Sequence, residues 1–186
     1  MTSSRSTVVE ALTDAWKGER IEWPDLWLTM AHLVARRSRC DRDQVGAVLV
    51  GYADHRLLSV GYNGAPRDHQ DDDGRWCRNW CQRAATVPPG QPAGPSYDNC
   101  PSTHAEMNCL LRAPEHDEPS VMYVSVVPCM GCAKMIAAAR STRGIIRVVA
   151  SNGGPGAVYR DQNGAVRFLR TCGIDVHVLS NERNEE

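Results

Sequence analysis

Residues 120–150, SVMYVSVVPCMGCAKMIAAARSTRGIIRVVA, decide the fold. The run from Val121 to Val127 is short, apolar and rich in β-branched residues, which is the composition of a strand, and Pro128 ends it. The period then changes. Residues 129–140 are rich in Ala and Met, with Met135, Ile136 and Ala139 at core positions of a helix, and residues 145–150 return to a strand.

The same alternation extends in both directions. Residues 165–172 read as a short helix, Gly173 fits its C-cap, and residues 174–179 form a last strand. Toward the N-terminus, residues 104–111 read as a helix with Met107, Leu110 and Leu111 facing the core, ended by Pro114. GAVLV (46–50) and LLSV (57–60) flank a polar turn containing Asp54 and His55, so the pair reads as a β-hairpin. The glycines of GYNG (61–64) then suggest a turn with positive φ as the chain leaves the sheet. Before the hairpin, Asp25 is placed to cap a helix whose Leu26, Met30, Leu33 and Val34 form an apolar stripe ending near Ser38. His32 lies beside that stripe and is expected to be partly buried with a local hydrogen bond. Helix, hairpin, helix, strand, helix, strand, helix, strand describes a three-layer α/β/α domain with a mixed central sheet.

A chain of 186 residues suits one such domain, expected over residues 23–180. Val8, Val9, Leu12, Ala15 and Trp16 recur at helical spacing, so residues 1–22 read as an N-terminal helical arm. Residues 67–103 change composition, with Asp71 to Asp73, then Pro88, Pro89, Pro92 and Pro95, and read as an insertion that something must tie down. Residues 181–186 are a polar, frayed tail.

Charge narrows the function. Lys plus Arg number 21 against 22 Asp plus Glu, so the chain carries no global attraction for a long nucleic acid, and a small substrate is favoured. Arg36, Arg37, Arg39 and Arg42 form a local basic run, suited either to one phosphate or to the carbonyl pole of a helix. No signal peptide and no apolar stretch of membrane-spanning length is present, which implies a cytoplasmic protein without a membrane partner. In that reducing setting, eight cysteines point to metal binding or buried thiols rather than disulfides. Cys109 and Cys172, beside apolar neighbours, read as buried thiols.

Chemistry concentrates in HAE (104–106) and PCMGC (128–132), each opening a predicted helix. Cys129 and Cys132 are three residues apart, so both thiols share one face of a turn and can bind the same ion. The positive end of that helix favours thiolate. His104 and Glu106 would diverge by about 200° on a helix flank, but at the first turn both can lean over the helix end. His104, Cys129 and Cys132 as zinc ligands leave one coordination position open, the mark of a catalytic site in which zinc brings water to a near-neutral pKa. Glu106 is then the placed carboxylate, able to accept the proton and pass it to a ring nitrogen and a departing amine. The match is to a known pattern, H-x-E with P-C-x-x-C, of zinc nucleobase deaminases.

Across residues 27–178 the sequence resembles the deoxycytidylate (dCMP) deaminases of the cytidine deaminase superfamily. The matching pieces are RSRC (37–40), QVGAV (44–48), GYNGAP (61–66), HAEMN (104–108), CAKMI (132–136) and LRTCGID (169–175). The resemblance implies a cytidine deaminase-like fold, a catalytic zinc, and hydrolysis of dCMP to dUMP and ammonia for thymidylate synthesis. It also implies that Asn63 contacts the deoxyribose and that the backbone of Ala105 meets the base. Effector contacts, with dCTP activating and dTTP inhibiting, are implied near Gly61, Tyr62 and Gly64, in a homo-oligomer that is often a hexamer. Some relatives hold a second, structural zinc, for which Cys40, Cys77, Cys81 and Cys100 would supply four thiolates, or His69 in place of one. Three alternatives stay open: a deaminase of another free or modified cytosine nucleotide, a nucleic-acid base deaminase, and a catalytically silent nucleotide-binding regulator.

Overall fold

The computed structural model describes residues 20–40, 42–66, 81, 100–152 and 162–180. The expected arm up to residue 19, residues 67–80 and 82–99 of the insertion, and the tail from residue 181 lie outside the described residues. Within them the elements run α1 (Trp23–Ala35), β1 (Gly46–Gly51), β2 (Leu57–Tyr62), α2 (Ala105–Arg112), β3 (Ser120–Val124), α3 (Met130–Arg143), β4 (Ile145–Asn152), α4 (Gln162–Thr171) and β5 (Asp175–Ser180). This is the predicted order.

The strands form one five-stranded sheet in the order β2-β1-β3-β4-β5. β1 is antiparallel to both β2 and β3, whereas β3, β4 and β5 run parallel to one another. The sheet is therefore mixed, as expected. β2, β3, β4 and β5 all point the same way, and only β1 opposes them.

Alternation along the central strands builds two cores. Ala47, Leu49, Met122, Val124 and Val148 face a cluster shared with Ala105, Cys109, Ala133, Ile136 and Leu169, which places α2, α3 and α4 on one face. Val48, Val50, Val121, Tyr123 and Val149 face Trp27 and Ala31 of α1 on the other. β1 is buried along its whole length, which is why its sequence is a continuous apolar run rather than an alternating one. Full burial of a side chain such as Leu49 contributes about 1.5–3 kcal/mol.

The helices depart from their expected faces in a consistent way. In α1 the residues at the core are Trp27, Ala31 and Ala35, while Leu33 is exposed. In α2 they are Ala105, Glu106, Cys109 and Leu110, with Leu111 exposed, and in α3 Cys132, Ala133 and Ile136, with Met135 exposed. Small residues sit where helix backbones press on the sheet, and several of the large apolar ones are displaced to the flanks. α1 also starts before Asp25: Glu22 is its N-cap, and Pro24 and Asp25 occupy the first turn, where a missing N–H and a negative charge are both tolerated. It ends at Ala35, short of Ser38. Gly173, at φ 74°, follows α4 in the left-handed conformation expected of its cap. His32 Nε2 lies 2.8 Å from Ser151 Oγ and joins α1 to the end of β4.

Candidate active site

The strand directions bring the two sequence clusters together. β2 and β3 leave the sheet at the same end, one leading through Asn63 and Gly64 toward α2 and the other through residues 125–128 into α3. Both helix N-termini therefore lie over the carboxyl ends of the parallel strands, where open α/β sheets form their ligand crevice.

His104 is the N-cap of α2 and Cys129 the N-cap of α3, both with extended backbone. N-caps ordinarily carry Ser, Thr, Asp or Asn, whose oxygen accepts from the helix's own N–H groups. Neither His104 nor Cys129 makes such a bond, so both side chains are available to the site. His104 Nδ1 lies 3.5 Å from Cys129 Sγ and 3.3 Å from Cys132 Sγ. The three donor atoms all fall within 4.8 Å of one another. Ligand bonds of about 2.0–2.3 Å in tetrahedral zinc sites require donor separations of roughly 3.5 Å, so the set fits that ion.

Electrostatics point the same way. The hydrogen bond from Cys132, with a smaller contribution from His104, lowers the Cys129 thiol to about 3, so Cys129 stands as a thiolate. Cys132 is pushed up by the same shared proton, by burial and by the charge of Glu106. The two sulfurs and the imidazole would hold a divalent cation in the place of that proton.

Glu106, at the second position of α2, is only 2 % exposed. Its carboxylate hydrogen-bonds with Cys132, which places it against the donor set. A buried carboxylate is costly without compensation, and the positive end of α2 supplies part of it.

The neighbouring segment is held by backbone contacts. Gly61 and Gly64 do not take the positive φ expected of them; Gly61 lies inside β2. Its reason is close approach, because a β-carbon there would lie 2.2 Å from the Ala105 carbonyl oxygen. Tyr62 ends β2, and Gly64 exchanges two backbone hydrogen bonds with Thr103. Asn63 is 8 % exposed; its Oδ1 accepts from the Val45 N–H and its Nδ2 donates to the Asp43 carbonyl, each at 2.8 Å. One amide hydrogen of Asn63 remains for another partner. Ala105, fully buried, is the first residue of α2.

Sequence reading missed Asn108. Its Nδ2 donates to the Tyr62 carbonyl at 2.8 Å and approaches the Thr103 carbonyl at 3.4 Å. The available signal was an Asn inside a helix four residues after His104, since Asn is a poor helix former that earns such a place through side-chain bonds. For the four-cysteine set, Cys77 lies outside the described residues, Cys81 is buried, and Cys40 and Cys100 are half-buried. Among the described residues, the group of three or more closely spaced potential ligands is His104, Cys129 and Cys132.

Fold and donor set define a three-layer α/β/α domain with three donors suited to zinc at paired helix N-termini. Residues 21–148 match the family model described as the cytidine and deoxycytidylate deaminase zinc-binding region, and the chain belongs to that family. A deoxycytidylate deaminase of Mycobacterium phage D29 is 36% identical over 132 residues, covering 70% of this chain and 94% of the relative. The Homo sapiens deoxycytidylate deaminase is 32% identical over 121 residues, and the match spans 64% of this chain but only 61% of the human protein. The dCMP deaminase of cyanophage S-TIM5, solved in complex with dCMP and dUMP, shares the fold with a TM-score of 0.58 at 24% identity, over 87% of this chain and 99% of that one.

Proposed function

We propose that this chain is a zinc-dependent hydrolase that converts dCMP and water to dUMP and ammonia, supplying thymidylate synthesis. The observation that carries this reading is the buried Glu106 carboxylate set against His104, Cys129 and Cys132. Zinc held by those three residues would supply a Lewis acid and lower the pKa of water toward neutrality. Glu106 accepts one proton from water as its oxygen bonds to C4, returns that proton to N3 of the cytosine ring, and carries the oxygen's remaining proton to the 4-amino group as the C4–N bond breaks and ammonia leaves. Burial keeps that relay from bulk solvent. Asn63, anchored at the end of β2, has one amide hydrogen to offer the sugar, and Ala105 brings the first turn of α2 to the base.

The names of the relatives support deoxycytidylate as substrate. So do Arg36, Arg37, Arg39 and Arg42, which lie on the connection entering β1 at the same end of the sheet, where a 5′-phosphate would need cations. On the same reading the protein is a cytoplasmic homo-oligomer, a hexamer by resemblance, with dCTP activating and dTTP inhibiting near Gly61, Tyr62 and Gly64. Residues 23–180 form the single deaminase domain, with residues 67–103 as an insertion anchored by a structural zinc on Cys40, Cys77, Cys81 and Cys100. Among the described residues no helix is long and apolar enough to cross a membrane.

The test is a substrate panel on zinc-loaded protein: dCMP, CMP, deoxycytidine, methylated and hydroxymethylated dCMP, and adenine-containing RNA. Ammonia release is expected to be fastest with a deoxycytidylate. A faster rate with a nucleoside, a ribonucleotide or RNA would overturn the substrate assignment.

A further inference from the structure

The seam between β2 and α2 contains three rungs. Ser59 Oγ donates to the Cys109 carbonyl at 2.8 Å, Gly61 presses on the backbone between Ala105 and Cys109, and Asn108 Nδ2 donates to the Tyr62 carbonyl at 2.8 Å. The Asn108 rung differs from the others in reaching the residue before a metal ligand. The same amide approaches the Thr103 carbonyl at 3.4 Å, and Thr103 is itself paired with Gly64 through two backbone hydrogen bonds, 2.9 and 3.1 Å long. The Asn108 N–H also donates to the His104 carbonyl at 2.9 Å, closing the first turn of α2. On the far side of the same segment, Asn63 ties residues 62–64 to Asp43 and Val45.

We propose that Asn108 is a positioning residue: its side-chain amide fastens the turn that carries His104 to the end of β2, so that the metal ligand and the Asn63 segment move as one piece. The inference rests on the zinc site described above. His104 is the N-cap of α2 with an extended backbone, so the turn on either side of it sets where its imidazole leaves the chain. Asn108 holds that backbone from the helix side and the Gly64–Thr103 bridge holds it from the loop side. Without the Asn108 donor, the Tyr62 carbonyl loses this partner and the imidazole is no longer preorganised for a third ligand bond.

The experiment compares Asn108→Ala and Asn108→Asp with Ser59→Ala in the full chain. Asp fills nearly the same space as Asn but turns a carboxylate oxygen toward two carbonyls, and Ser59→Ala removes a rung that ends on the Cys109 carbonyl and does not reach Thr103. Zinc affinity is measured by chelator competition, and the thiolate absorption of the cobalt(II) form reports ligand geometry. Both Asn108 variants are expected to bind zinc at least tenfold more weakly, with altered cobalt bands. Ser59→Ala should stay within twofold of wild type even where its melting temperature falls. Should Asn108→Ala not fold, Asn108→Asp carries the comparison, and the cobalt spectrum is read on the folded fraction. Wild-type zinc affinity and spectrum retained in either Asn108 variant, or losses matched by Ser59→Ala, would overturn the inference while leaving the site intact. A wild-type chain that binds no zinc, or binds it equally after Cys129→Ser, would overturn the site itself.

Discussion

Gly61 and Ala105 meet backbone to backbone: a β-carbon on Gly61 would lie 2.2 Å from the Ala105 carbonyl oxygen and 2.4 Å from the Cys109 amide nitrogen. Neither atom belongs to a flexible side chain, so Gly61→Ala must push α2 away from β2. Overpacking of this kind costs about 1–3 kcal/mol. Because α2 carries His104 and Glu106, the expected outcome is a lower melting temperature together with weaker zinc retention, checked by thermal unfolding and metal analysis of one preparation.

Cys129 and Cys132 span one turn of α3, and His104 closes the set from α2. His104→Ala and Cys132→Ser are each expected to remove one equivalent of zinc per chain relative to wild type, measured by elemental analysis after dialysis. Cys77→Ser is expected to leave that equivalent, and the deamination it supports, in place. Any zinc it removes is assigned to the separate four-cysteine set.

Glu106→Gln keeps the volume and the helix position but cannot accept a proton. Proton transfer by a placed side chain contributes about 10²–10⁴-fold to rate, so turnover should fall by several orders of magnitude with zinc content unchanged. Steady-state kinetics beside metal analysis separates this result from simple loss of the site. Near-normal turnover would refute the proton relay.

The element order was legible because it is written in local sequence, and the donor set because its two short motifs form a known pattern. The apolar runs of β1 and β3 and the change of period after Pro128 need no knowledge of distant contacts. What was not legible depends on how closely the layers approach. Leu33, Leu111 and Met135 look like core residues by hydropathy, but Ala31, Ala133 and Cys109 take the sheet-facing positions because helix backbones there lie close to the strands. Gly61 reads as a turn residue until α2 is laid across it. The bond from His32 to Ser151, 119 residues apart, and the reach of Asn108 to Tyr62 have no local signature beyond a polar residue at a helical position.

Cys109, fully buried on the face of α2 that packs on β2, gives the fold a dependence on alkaline pH. Burial pushes its thiol up from 9.0 to about 12, against smaller lowering effects of the Ser59 hydroxyl and the Leu49 backbone. Below the ordinary thiol range both native and unfolded chains keep the proton, and stability is unaffected. Between that range and the native value the unfolded chain releases a proton that the native chain retains. The unfolded state then binds fewer protons, and stability falls by about 1.4 kcal/mol per pH unit from this group. Cys109→Ala lacks the titration, so its stability should decline less steeply from pH 9 to pH 11 than that of wild type, even though the loss of the thiol lowers its stability at pH 8. Urea midpoints of the two zinc-loaded proteins across this range make the comparison, because every other titrating group is common to both. Parallel declines would mean that the native fold does not hold the Cys109 proton.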